Sequence, residues 1–133
     1  MTGDQRALLD TSVVIDLETF DLGELADALP SISAVTVAEL AFGLDIDDLV
    51  ERQARTDRFY AILRDIPVLP FDLSAARLYG TLAATVRRSG RNPRPRRMDL
   101  QIAATAGAHA MPLLTRNPAD FHGLDRFLDV IPS

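Results

Sequence analysis

The chain has 133 residues, 47% of them apolar, with a net charge of −5 and no cysteine. That length suits one domain with its own core, and the absence of thiols excludes disulfides and thiolate metal sites. No apolar run is long enough to span a bilayer and no basic segment leads into an apolar one at the N-terminus, so a soluble cytoplasmic protein without a membrane partner is expected.

Ala7-Leu8-Leu9 reads as a short buried strand. Asp10-Thr11-Ser12 follows, a cluster suited to capping a helix that continues through Val13-Val14-Ile15-Asp16-Leu17. Asp21 to Leu29 is expected as a second short helix, stopped by Pro30. Ser31-Ile32-Ser33-Ala34 reads as a strand. Thr36 is expected to cap a helix from Val37 to Leu44, with Glu39 completing a capping box.

Asp47 to Ile66 is a long amphipathic segment carrying Leu49, Phe59, Ile62 and Leu63. Pro67-Val68-Leu69-Pro70-Phe71 is a strand bracketed by prolines, which places it at an edge or an end. Leu73 to Val86 is a second long helix with Ser74 near its start. Arg87 to Arg97 reads as a loop, because Pro93 and Pro95 oppose a regular helix. Asp99 opens a helix from Leu100 to His109. Met111 to Thr115 is a strand, Asn117 to Gly123 a turn-rich loop, and Phe127 to Ile131 a last strand. Strands alternating with helices imply an α/β fold with a mainly parallel sheet flanked by helices. Ligands then bind beyond the carboxyl ends of the strands.

Four carboxylates stand at the ends of apolar runs: Asp10, Glu39, Asp99 and Asp120. Each alone has an ordinary reading: a cap at Asp10, a capping box at Glu39, the helix dipole at Asp99, a turn at Asp120. Asp10 and the loop from Thr115 to Asp120 follow strands directly, and Glu39 and Asp99 lie near helix starts, so all four can face one edge. Two such charges about 5 Å apart repel by roughly 3 kcal/mol at an effective dielectric near 20. A shifted pKa or a bound cation resolves the repulsion. Oxygen donors with little histidine suit Mg²⁺ or Mn²⁺, and that chemistry points to phosphoryl transfer on a nucleic acid. His109 and His122 share no metal-ligand spacing and read as satisfied histidines. Asp16 reads as solvated or paired, Asp45, Asp47 and Asp48 as a loop and helix start, and Asp125 and Asp129 as surface charges.

An acidic chain is a poor match for nucleic acid unless metal cancels the acids. Every basic residue is Arg, and six fall between Arg87 and Arg97. That stripe suits either a soluble loop or a phosphate-gripping segment, and both readings stand. The chain has no GxxxxGK[ST] loop, no second acid two residues after Asp10, no lysine, no GxSxG elbow and no cysteine. Those absences remove P-loop NTPases, haloacid-dehalogenase-type phosphatases, response-regulator receivers and covalent hydrolases.

Leu8-Leu9-Asp10-Thr11-Ser12, Thr36-Val37-Ala38-Glu39-Leu40, Asp99-Leu100-Gln101-Ile102-Ala103 and Leu114-Thr115-Arg116-Asn117-Pro118-Ala119-Asp120-Phe121 together resemble, in order, the four motifs of the PIN-domain family, and in particular its VapC-type toxins. The resemblance implies a single three-layer PIN domain over residues 1–133. It also implies a Mg²⁺-dependent endoribonuclease (Mn²⁺ an alternative) that cuts cellular RNA with metal-activated water. Asp10, Glu39, Asp99 and Asp120 would be its metal-site acids. Thr11, Ser12, Thr115 and Asn117 would support them, and Arg91, Arg94, Arg96, Arg97 and Arg116 would grip RNA. The implied partners are a VapB-type antitoxin and a second copy of the chain, with Leu49–Leu63 and Leu73–Val86 as available surfaces. The alternative is a PIN-like module that binds RNA or a partner without cutting.

Overall fold

The computed structural model describes residues 6–15 and 29–133. The helix expected over Asp21 to Leu29, apart from Leu29 itself, and the continuation through Asp16 and Leu17 lie outside the described residues.

Five strands form one sheet: β1 (Ala7–Leu9), β2 (Pro30–Ser33), β3 (Val68–Leu69), β4 (Leu113–Thr115) and β5 (Val130–Pro132). Their order across the sheet is β3-β2-β1-β4-β5, and every pairing is parallel. β1 is central: Leu8 pairs with Ser31 on one side and with Leu113 on the other. The strand order turns back on itself between β1 and β4, which opens a crevice at their carboxyl ends. The proline-bracketed β3 is an edge strand, as expected of a segment that lacks ladder donors.

The helices are α1 (Thr11–Ile15), α2 (Ala34–Phe42), α3 (Leu49–Asp65), α4 (Leu73–Arg88) and α5 (Arg97–Ala108), with 3₁₀ turns at Arg94–Arg96 and Pro118–Phe121. They cover both faces of the sheet in a three-layer α/β arrangement. Alternation along a strand divides the core. Leu8 and Leu113 join Leu82, Val86, Leu100, Ile102 and Phe121 on the face covered by α4 and α5. Leu9 and Leu114 join Val13, Val14, Ile32, Ile62 and Ile66 on the other, covered by α1 and α3. Of the apolar residues expected to face the core from α3, Ile62 is buried, whereas Leu49 is 74% exposed.

Several helix starts differ from the sequence expectation. Ser33, not Thr36, caps α2, its Oγ accepting from the Val35 N–H at 3.0 Å. Thr36 is fully buried in the first turn of the helix, so it forms no capping box and Glu39 lies well within α2. α4, by contrast, starts at Leu73 as expected, capped by Asp72, which accepts from the Ala75 N–H at 3.0 Å. The Arg-rich stretch is also shorter as a loop than expected: Arg87 and Arg88 end α4, and the 3₁₀ turn Arg94–Arg96, with Pro95 in it, runs into α5 at Arg97. A 3₁₀ turn tolerates proline at its start because the missing N–H is unpaired there anyway. Asp99 is therefore the third residue of α5, in the first turn.

Candidate active site

Asp10 is the first residue beyond central strand β1, and it is 4% exposed. Its N–H stays in the sheet, donating to Leu114 O at 2.9 Å. Its Oδ2 accepts from Ser12 Oγ at 2.8 Å and from Thr115 Oγ1 at 2.8 Å. Its Oδ1 is buried and has no hydrogen-bond partner. A buried carboxylate oxygen without a donor carries a desolvation cost, and a cation is the partner that would remove it.

The same two hydroxyls anchor the loop after β4. Ser12 Oγ accepts from the Arg116 N–H at 3.2 Å, and Thr115 Oγ1 accepts from the Asn117 N–H at 3.0 Å. Asn117 thus braces the loop through its main chain. Glu39 reaches the crevice from α2: Thr11 Oγ1 donates to its Oε1 at 2.7 Å and lies 3.1 Å from Thr36 Oγ1. Thr36 is a supporting residue that the sequence reading assigned to the wrong task. Its burial depends on a contact 25 residues away, which no local pattern signals.

Asp99 completes the convergence from the first turn of α5. Its carboxyl is pushed up to about 6, first by burial and then by the charges of Asp10, Glu39 and Asp120, against a lowering influence from Arg96. One carboxyl that feels three others shows that the acids share a single electrostatic field. Asp120 lies in the 3₁₀ turn after β4, where Arg96 Nη1 approaches its Oδ1 at 2.9 Å. Among the described residues, no three acidic, histidine or cysteine side chains are gathered into a finished metal cage. The donor set consists of hard carboxylate and hydroxyl oxygens, one of them orphaned, and it fits a divalent cation of the Mg²⁺ type.

The arginines divide. Arg96 turns to Asp120, and Arg91 Nη2 donates to His122 O at 2.9 Å. The side chains of Arg94 and Arg97 are exposed beside the turn, and the Arg116 main chain is tied to the site through Ser12. His109 stands apart, with Nε2 3.4 Å from Pro70 O and 3.7 Å from an Asp72 carboxylate oxygen. Next to the acids, between α2 and α3, lies a cleft of about 330 Å³ bordered by Thr11, Glu39, Leu40, Arg55, Arg58 and Phe59.

The model of the PIN domain family matches residues 7–126. Ribonuclease VapC5 of Mycobacterium tuberculosis is 35% identical over 121 residues, which cover 89% of this chain and 87% of that protein. VapC ribonuclease Y4jK of Sinorhizobium fredii is 40% identical over 100 residues, 71% of this chain and 70% of that protein. Among solved structures, the VapBC-5 toxin–antitoxin complex of M. tuberculosis contains a chain that superposes with a TM-score of 0.80 at 30% identity, covering 96% of this chain and 98% of that one. A DNA-bound VapBC of Salmonella typhimurium superposes equally well, with a TM-score of 0.80 at 20% identity over 96% of this chain and 98% of that one, and shares the fold.

Proposed function

The chain belongs to the PIN-domain family, and on that premise we propose that it is the toxin of a VapBC-type pair, a divalent-metal-dependent endoribonuclease. The observation that carries this reading is the orphaned Oδ1 of buried Asp10 at the carboxyl end of the central strand, beside an Asp99 whose proton affinity is raised by its neighbours.

Asp10 and Asp99 are the residues that would hold the cation, with Glu39 and Asp120 completing the acidic surround. Mg²⁺ is the proposed ion and Mn²⁺ a substitute, since both take oxygen donors. A cation bound there supplies Lewis acidity toward a phosphodiester and lowers the pKa of water.

The protein's own groups prepare the site. Ser12 and Thr115 occupy Oδ2 of Asp10 and so leave Oδ1 as its open donor. Thr11 fixes one oxygen of Glu39 in the same way. Arg94, Arg97 and Arg116 would grip phosphates flanking the cut, which positions RNA without reading its sequence. Arg91, tied to the His122 carbonyl, would contribute by holding the rim in shape. The hydroxyls of Thr11, Ser12 and Thr115 each donate to a carboxylate of the site, so water is the proposed nucleophile and no covalent intermediate is expected.

Residues 1–133 are proposed to act as one PIN domain in the cytoplasm. Among the described residues, no helix is long and apolar enough to cross a membrane. A VapB-type antitoxin would block the acidic crevice, and a homodimer is the proposed assembly of the toxin.

Brief induction in cells, followed by mapping of new RNA ends, tests the reading. Discrete ends with the wild type that vanish with folded Asp10→Ala are expected. Ends that persist in Asp10→Ala would remove Asp10 from the chemistry. A folded wild type that makes no ends would shift the function to a non-cleaving RNA- or partner-binding module.

A further inference from the structure

Two hydroxyls lie fully buried where α2 leaves the sheet and passes α5. Ser33 Oγ and Thr105 Oγ1 are 3.2 Å apart, across 72 residues of sequence. Their other bonds fix which of the two donates. Thr105 Oγ1 donates to Gln101 O at 2.9 Å. A hydroxyl has one hydrogen, so Thr105 can only accept from Ser33, and the Ser33 hydroxyl donates. Ser33 Oγ in turn accepts from the Val35 N–H at 3.0 Å. The bonds therefore form a one-way chain from the Val35 amide through Ser33 and Thr105 to the Gln101 carbonyl. That chain joins the first turn of α2 to the backbone of α5.

The surroundings show what these bonds add. Ile102, Ala103, Ala104 and Ala106 of α5 are all buried apolar residues. Two apolar groups of the same shape in place of a buried hydroxyl pair would leave stability nearly unchanged. Apolar contacts have no preferred direction, whereas a hydrogen bond weakens steeply away from its line. The pair therefore sets the rotation and the rise of α2 against α5.

Both helices carry acids of the crevice. Glu39 lies six residues beyond Ser33 and Asp99 six residues before Thr105, about 9 Å along each helix at about 1.5 Å per residue. The hydroxyl pair joins the start of α2 to the second half of α5. At the other end, Glu39 is near enough for its charge to act on Asp99. The two helices thus run in opposite directions, pinned at one end and each presenting an acid at the other.

We infer that Ser33 and Thr105 are positioning residues for the reaction: their bond sets the separation of Glu39 from Asp99, and through it the affinity of the crevice for its cation. The inference rests on the metal-dependent reading proposed above. Each residue acts through the acid on the helix it fixes, not on the cation or on RNA.

Mn²⁺ binding to the purified full chain, well below its thermal midpoint and followed by electron paramagnetic resonance without RNA, tests the inference. Thr105→Val keeps the shape and leaves the Ser33 cap on Val35 in place, but deletes the acceptor. It should weaken Mn²⁺ binding about tenfold or more, as removal of groups that support a ligand typically does. Ser33→Ala should weaken it to a similar degree. Thr105→Ser, which keeps the hydroxyl, should bind as the wild type does. Leu128→Ala is the control for stability alone. It deletes a buried apolar side chain at the opposite end of β4 from the acids, so it should lower the thermal midpoint and leave the affinity unchanged. Wild-type affinity in either folded Thr105→Val or folded Ser33→Ala would overturn the inference. So would an equal weakening in Leu128→Ala, or weak binding by Thr105→Ser. If Thr105→Val does not fold, Ser33→Ala and Thr105→Ser decide. A wild type that binds no Mn²⁺ would refute the metal-dependent reading, and this inference with it.

Discussion

Thr115 Oγ1 donates a 2.8 Å hydrogen bond to Asp10 Oδ2 across 105 residues of sequence, and both residues are buried. The bond ties the carboxyl ends of β1 and β4 together at the point where the strand order reverses. It also determines which oxygen of Asp10 stays open. A hydrogen bond to a charged group contributes about 1.5–3 kcal/mol. Thr115→Val keeps the shape and deletes the donor, so urea unfolding should show a loss in that range. Thr115→Ser should recover most of it.

Much of this crevice was legible in the sequence, and the reasons are specific. An apolar run ending in Asp10-Thr11-Ser12 announces a buried strand that stops at polar groups, and β1 is that strand. The place of Asp99 in a first helical turn was legible for the same kind of reason. The start of α2 was not. Ser33 and Thr36 are both good caps, and the choice between them is made by the burial of Thr36 against Thr11, a contact outside the local pattern. Arg96 was grouped with its arginine neighbours as an RNA contact, and composition could not reveal that it also meets Asp120, 24 residues further on. The strand order β3-β2-β1-β4-β5 was out of reach for the same reason, since pairing joins segments far apart in the chain.

Two helical glycines should respond oppositely to the same substitution. Gly80 lies on the exposed side of α4, and a Cβ there would meet nothing within 4 Å. Gly80→Ala should stabilise the chain by about 1 kcal/mol through helix propensity alone. At Gly107 in α5, a Cβ would stand 2.6 Å from Leu78 Cδ2 and 3.0 Å from Phe127 O. The methyl of Leu78 can swing aside, but the Phe127 carbonyl belongs to the backbone. Overpacking of this kind costs about 1–3 kcal/mol, more than propensity returns, so Gly107→Ala should lower the thermal midpoint.

Ala110 closes α5 with a φ of 55°, a left-handed conformation that a Cβ disfavours. The Met111 N–H donates to Ala106 O at 2.9 Å and the Ala110 N–H to Gly107 O at 3.2 Å, the two bonds of a Schellman end. Glycine is the residue this position favours. Ala110→Gly should therefore stabilise the chain by about 1 kcal/mol in denaturant titration, with cleavage unchanged because the position lies at the opposite end of β4 from the acids.

Asp99 links stability to activity through its proton. In the folded chain its carboxyl is pushed up to about 6, whereas an unperturbed one titrates near 3.8. Between those values the folded state holds more protons than the unfolded state, so this group's contribution makes stability fall as pH rises through the window and level off above about 6. Removing the charge removes the penalty. Asp99→Asn should be more stable than the wild type at pH 7, by about 1 kcal/mol once solvent screening of a half-exposed group is allowed for. The advantage should vanish below about pH 3, where Asp99 is protonated in both states. Cleavage should be lost throughout. Divalent cation binds the ionised carboxylates, so adding Mg²⁺ should raise the thermal midpoint of the wild type at pH 7 and leave that of Asp99→Asn nearly unmoved. In the wild type, cleavage should fall below about pH 6. Raising Mg²⁺ should carry that limb to lower pH, because the cation and the proton compete for the same carboxylate.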